Sequence, residues 1–215
     1  MVNSCRPWLG AAANKYSQSP LKLRPQIEYH EQRIGRSLDV VHAYNQEDDT
    51  ALTVDQLYFA ARPGTTLFVN WKPSTAWSLA DGSDAAVNDR IDKMAASIKS
   101  LGAKQIMMTI HHEPENDVTT EPECPGLAFK GSSGTPEQYR AMWRNVHDRF
   151  EQAGATNVVW AVNFMSYPNW RCLTNHLYPG DDIVDWVLYD NYGSASSPNF
   201  VTNVSNMYDF LTANS

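Results

Sequence analysis

Ile106-Met107-Met108-Thr109-Ile110 follows the helix-stop signal Leu101-Gly102 and passes directly into His111-His112-Glu113-Pro114-Glu115-Asn116-Asp117. An unbroken apolar run this short reads as a strand buried on both faces, the environment of a parallel sheet. Ionisable groups crowded at its end then fall on the carboxyl edge of the sheet, where α/β proteins build their sites. A polar loop after a strand is the bland alternative, but here the crowding begins at the strand end itself. Pro114 is expected to hold Glu113 in an extended backbone. A metal site is not expected, because the helical zinc pattern needs a second His one turn on, and Asn116 stands three beyond Glu113. Alternation along a strand also separates His112 from Glu113 unless the backbone kinks.

The same unit recurs along the chain. Strands are predicted over Trp8–Ala13, Leu38–Tyr44, Thr65–Trp71, the central stretch, Asn157–Asn163 and Val184–Asp190. Between them lie helices: one opened at Pro25 with Ile27 and Ile34 on one face and ended by Gly35, and one capped by Thr53 and stopped at Arg62-Pro63-Gly64. A third carries Val87, Ile91, Met94, Ala95 and Ile98 at helical spacing. Thr135-Pro136-Glu137-Gln138 opens a fourth, with the buried stripe Tyr139, Met142, Trp143, Val146 and Phe150 and a stop at Gly154. Pro198 opens the last, with Phe200, Val204, Met207 and Leu211 in register.

Alternating strands and helices without hairpin turns predict a parallel sheet. Gly10-Ala11-Ala12-Ala13-Asn14 lacks the glycine-rich phosphate turn of a doubly wound fold. Polar and aromatic residues instead close many strands: His42 and Tyr44, Asn70 and Trp71, His112 and Glu113, Asn163, Asp190 and Tyr192. That distribution predicts a (β/α)₈ barrel, of which about six units are expected in a single domain over residues 1–215. With 17 basic against 24 acidic residues and no basic run, nucleic acid is not an expected partner. No apolar stretch approaches the ~20 residues that span a bilayer, and the first residues lack the apolar centre of a signal peptide. Cys124 and Cys172 follow the fourth and fifth strands. Their placement allows a disulfide, which implies an oxidising compartment, and equally allows two unrelated thiols.

At this point the chain resembles glycoside hydrolase family 26, the β-mannanase-like members of the retaining (β/α)₈ clan. The matching residues run in order: Gly35–Val41, Trp71-Lys72-Pro73, His112-Glu113, Trp143–His147 with Gly154–Trp160, Tyr178–Trp186, and Asp190-Asn191-Tyr192. The resemblance implies hydrolysis of a β-linked polysaccharide, mannan first and β-1,3/1,4-glucan or β-1,3-xylan next, by a secreted enzyme without cofactors. It implies Glu113 as general acid/base with His112 shaping the site, and Asp190 with Tyr192 at the end of the sixth strand, the tyrosine hydrogen-bonding the nucleophile. Asn163 joins them as a supporting residue. Trp71, Tyr167 and Trp170 are candidate platforms for the apolar face of a sugar, while Trp160 and Trp186, inside strands, are expected in the core.

Two departures stand out. Asp117 and Val118 occupy the loop where the family usually places an aromatic, which puts mannan specificity in doubt. A retaining glycosidase also needs a second carboxylate ~5–5.5 Å from the acid, in this family a Glu at the end of the seventh strand. No Glu follows Glu151 here. Asp190 has too short a side chain for that role, and Glu115 lies too near Glu113 to attack the opposite face of a sugar. The seventh and eighth strands, with the nucleophile, are therefore not expected within these residues. On its own such a segment is expected to be of low stability and inactive. A non-catalytic carbohydrate-binding protein of the same fold is the alternative reading.

Overall fold

The computed structural model describes residues 6–13, 22–119, 124, 131–165, 168–192 and 200–213. Its frame is one parallel sheet of β1 (Gly10–Ala12), β2 (Val40–Asn45), β3 (Thr66–Trp71), β4 (Ile106–Ile110), β5 (Val158–Met165) and β6 (Trp186–Asp190), paired in chain order. The helices are α1 (Leu23–Ile34), α2 (Val54–Ala61), α3 (Ala85–Lys99), α4 (Pro136–Ala153), α5 (Arg171–Leu177) and α6 (Phe200–Ala213). The short helix α5, next to the loop of Trp170, is not foreshadowed in the sequence, where the polar Asn175 and His176 obscure the apolar pair Leu173 and Leu177. Pro198 lies outside the described residues.

Local signals placed most helix ends. Thr135 accepts from the Gln138 N–H at 3.3 Å while the Gln138 side chain accepts from the Thr135 N–H at 2.9 Å, a reciprocal cap that Thr53 and Gln56 repeat on α2. Gly154 ends α4 at φ 75°, a left-handed turn that glycine enters without steric penalty. Replacing Thr135 with alanine is expected to lower stability by ~1 kcal/mol in denaturant titration; an unchanged midpoint would leave the cap without weight. The predicted stripes of α3 and α4 are buried as expected. In α1 only half of the prediction holds: Ile27 is buried, but Ile34, in the last turn, is 39% exposed.

The register separates two faces. His42 pairs with Phe68, Phe68 with Met107, and Tyr44 with Asn70, which pairs with Thr109. These positions face the concave side, where Met107, Val159 and Ala161 form a small apolar cluster with Phe68 and Leu188. The alternate residues, including Val41, Val69, Met108 and Trp160, enter the larger core beneath the helices. Trp71 belongs to this outer set. It is fully buried, its indole N–H donating to the Gln46 carbonyl at 3.2 Å and its ring 6.5 Å from Phe150. The expected sugar platform at Trp71 is therefore corrected to a core residue: one position after inward-facing Asn70, alternation turns it to the helix layer. Trp186 is corrected the other way. It lies on the concave face of an edge strand, 43% exposed, with Trp8 stacked at 6.2 Å, so the sheet curls far enough for a side chain just before β1 to meet one on β6.

Residues that the sequence singled out separately tie this frame together. Asp39 accepts from Arg6, Arg36 and the Leu9 N–H, binding β1 to β2. Arg144 of α4 reaches the Pro179 carbonyl and Asp182, and Asp185 accepts from the Trp160 N–H at 2.8 Å, registering β6 on β5.

Candidate active site

At the end of β4 the backbone does kink. His111 and Glu113 adopt φ of 52° and 49°, left-handed values that are uncommon outside glycine, so Glu113 is not extended as Pro114 led us to expect. Tertiary contacts override that local bias. The Glu113 N–H donates to the Asn163 carbonyl at 3.1 Å, and the Tyr139 hydroxyl of α4 lies 3.2 Å from the carbonyls of both Ile110 and His111. A turn pinned on two sides holds a conformation that it would not choose alone.

The kink sends three successive side chains in three directions. His111 is fully buried: its Nδ1 accepts from the Trp77 indole at 3.0 Å, so Nε2 carries the proton and donates to Asp117 at 2.6 Å. Burial holds this imidazole below its ordinary range. Burial alone would raise the Asp117 carboxyl, but the bond from His111, with Lys72 at 3.6 Å, keeps it low and charged. His112 turns inward, where its Nδ1 accepts from the Asn70 amide at 2.5 Å and its ring meets Tyr44 edge-on. Burial, with the charge of Lys72 next, lowers His112 to about 4, and burial does the same to His42, so both imidazoles are neutral at neutral pH.

Glu113 turns toward the mouth of the sheet. Burial first, and the charge of Asp190 second, push its pKa up, while Tyr192 and Lys72 oppose the shift. The Tyr192 hydroxyl donates to Glu113 Oε1 at 3.2 Å, and Asn163 donates to Asp190 at 3.3 Å. Tyr192, expected beside a nucleophile, here contacts Glu113 itself. Asn163, Asp190 and Tyr192, with His42, Tyr44, Thr109 and His112, line a cavity of about 690 Å³, and Glu113 is joined to this lining through Tyr192. A second cavity, about 560 Å³, lies at the amino end of the strands around Arg62 and Lys104, the end that serves stability in barrels. Replacing Tyr192 with phenylalanine removes a bond to the ionised form of Glu113. Its pKa is then expected to rise further in carboxyl ¹³C titration; a fall would contradict the assignment.

Of the expected residues, the fold brings Glu113, His112, Asn163, Asp190 and Tyr192 together. Trp170 stands apart, half-buried against the main core, and Tyr167 lies outside the described residues. Cys124 and Cys172 are joined in a disulfide, with Cα atoms 5.7 Å apart. Sequence reasoning missed the Trp77–His111–Asp117 chain, which no spacing signals, and took Glu115 only as a failed nucleophile. Among the described residues no group of three or more His, Cys, Asp or Glu is arranged to hold a metal ion.

Comparison with known proteins adds a family. The sequence model described as "Glycosyl hydrolase family 26" matches residues 72–214. Endoglucanase H of Acetivibrio thermocellus is 28% identical over 188 residues, which cover 86% of this chain and 19% of that protein. A ruminal GH26 endo-β-1,4-mannanase superposes with a TM-score of 0.61 at 14% identity, over 87% of this chain and 46% of that one. The GH26 domain of an endo-β-mannanase/endo-β-glucanase from Prevotella bryantii gives 0.61 at 15% identity, over 94% and 73%. At such identities the superpositions show the fold: the six curled units are part of a (β/α)₈ barrel.

Proposed function

The chain belongs to glycosyl hydrolase family 26, and from that premise we propose that it hydrolyses a β-linked polysaccharide, β-mannan first, by a retaining double displacement with Glu113 as general acid/base. The observation that carries the reading is the state of Glu113, a carboxyl whose pKa is raised by burial and by Asp190 and which is bonded to Tyr192 of the cavity lining. A raised pKa keeps the carboxyl protonated to higher pH than an ordinary glutamate, which favours donating to a glycosidic oxygen. In the first step an enzyme carboxylate attacks the anomeric carbon as Glu113 protonates the leaving oxygen. In the second, Glu113 takes the proton from the water that releases the sugar. The attacking carboxylate is not assigned to any of these 215 residues.

His112, held by Asn70, and Asp190, held by Asn163, are proposed to contact the sugar or orient Glu113, and Trp170 to stack on a ring farther along the chain. The substrate is less constrained than the chemistry. The mannanase and endoglucanase names belong to the relatives, of which this chain spans 19% of Endoglucanase H and 46% of the ruminal enzyme. The Cys124–Cys172 disulfide supports a secreted protein, and we read residues 1–215 as one domain.

The test is the full-length protein on β-mannan, β-1,3/1,4-glucan and β-1,3-xylan, with the first anomer released followed by ¹H NMR. A product retaining the β configuration is expected. An inverted first product rejects the double displacement, and binding without release of sugar favours a carbohydrate-binding role.

A further inference from the structure

Glu115 lies in the 3-10 turn Pro114–Asn116, two residues after Glu113, and is 2% exposed. Its Oε1 accepts the N–H of Met165, the last residue of β5, at 3.0 Å, while Oε2 is buried without a partner. A charged carboxylate with one bare oxygen in such a place is strongly disfavoured, so the side chain demands an explanation. The proposed double displacement makes no use of it. Geometry suggests what does. The strained turn is fastened to β5 on both sides of the Glu113 side chain: by the Glu113 N–H to Asn163, and by the Glu115 carboxyl to Met165.

We propose that Glu115 is a positioning residue, an uncharged strut that ties the turn to β5 and thereby fixes the direction of the Glu113 carboxyl; this rests on the reading of Glu113 as acid/base. Burial pushes the Glu115 carboxyl up to about 8, and the charges of Glu113 and Asp190 add to the rise, against the backbone N–H groups of Glu115 and Met165. The Tyr139 phenol on α4 feels its charge, and α5, which packs against this turn, carries Arg171 and His176. Once ionised, Glu115 would set a negative charge directly behind Glu113.

The test compares the full-length protein with Glu115→Gln and Glu115→Met, on the polysaccharide and on an aryl glycoside whose leaving group departs without acid assistance. Glutamine keeps an acceptor for the Met165 N–H; methionine keeps the bulk alone. Glu115→Gln is expected within about threefold of the parent on both substrates, since the strut is preserved. Glu115→Met is expected to lose roughly 10- to 100-fold in kcat on the polysaccharide, with KM little changed and the aryl glycoside spared, because only the aim of the acid has moved. Equal loss on both substrates, or parent-like rates on both, overturns the proposal. Carboxyl ¹³C titration of Glu113 reads it without turnover: a second step near pH 8 in the parent that is gone in Glu115→Gln is expected, and a single step in the parent overturns it. A parent that cleaves no glycan rejects the functional reading, while the titration still decides the role of Glu115.

Discussion

Glu113→Ala is expected to lower hydrolysis of the polysaccharide by roughly 10²- to 10⁴-fold, the range that a positioned general acid supplies. An activated aryl glycoside, with a leaving group that needs no proton, should lose far less in the step that forms the covalent intermediate. The contrast follows from the site. Glu113 is bonded through Oε1 to Tyr192, which lines the cavity, and its proton affinity is raised by burial and by Asp190. Of the neighbouring carboxyls, Glu115 is sealed beneath the turn, Asp117 is committed to His111, and Asp190 is held by Asn163 on a shorter side chain. Because the pKa is raised, polysaccharide hydrolysis should fall on the alkaline side as Glu113 ionises, and that limb should be missing from the residual activity of the alanine variant. Equal losses on both substrates would remove Glu113 from the acid role.

The second large effect concerns stability. A carboxyl that titrates near 8 in the folded chain against an ordinary 4.5 contributes stability that is complete below pH 4.5 and is lost as the pH rises through about 8. In that window the unfolded chain gives up the proton while the folded chain keeps it. At pH 7 the penalty amounts to roughly 3 kcal/mol. Glu115→Gln cannot ionise, so it should match the parent near pH 4 and exceed it by about that amount at pH 7, the gap levelling off above pH 8. Thermal or denaturant unfolding across this range would show it. Parallel stability curves for the two proteins would mean that Glu115 is not the buried neutral acid described above.

What the sequence determined by itself was whatever depends on near neighbours. The reciprocal caps at Thr53 and Thr135, the glycine stop at Gly154 and the stripes of α3 and α4 follow from spacing within a turn or two, and the structure keeps them. The buried run Ile106–Ile110 and the polar strand ends were equally legible, and with them a parallel sheet and the elements that meet at the site. Tertiary structure decided the direction of each side chain. Trp71 and Asn70 are adjacent and both buried, yet the register of β3 against β4 sends one to the helices and the other to His112. Pro114 argued for an extended Glu113, but the Asn163 carbonyl and the Tyr139 hydroxyl, both distant in sequence, impose a left-handed turn. That turn buries His111 and Glu115 and leaves Glu113 half-buried beside Tyr192. Three ionisable residues from one strand end thus acquire three environments, because proton affinity is set by the dielectric, charges and donors that surround a group in space, and a local run of residues does not specify these.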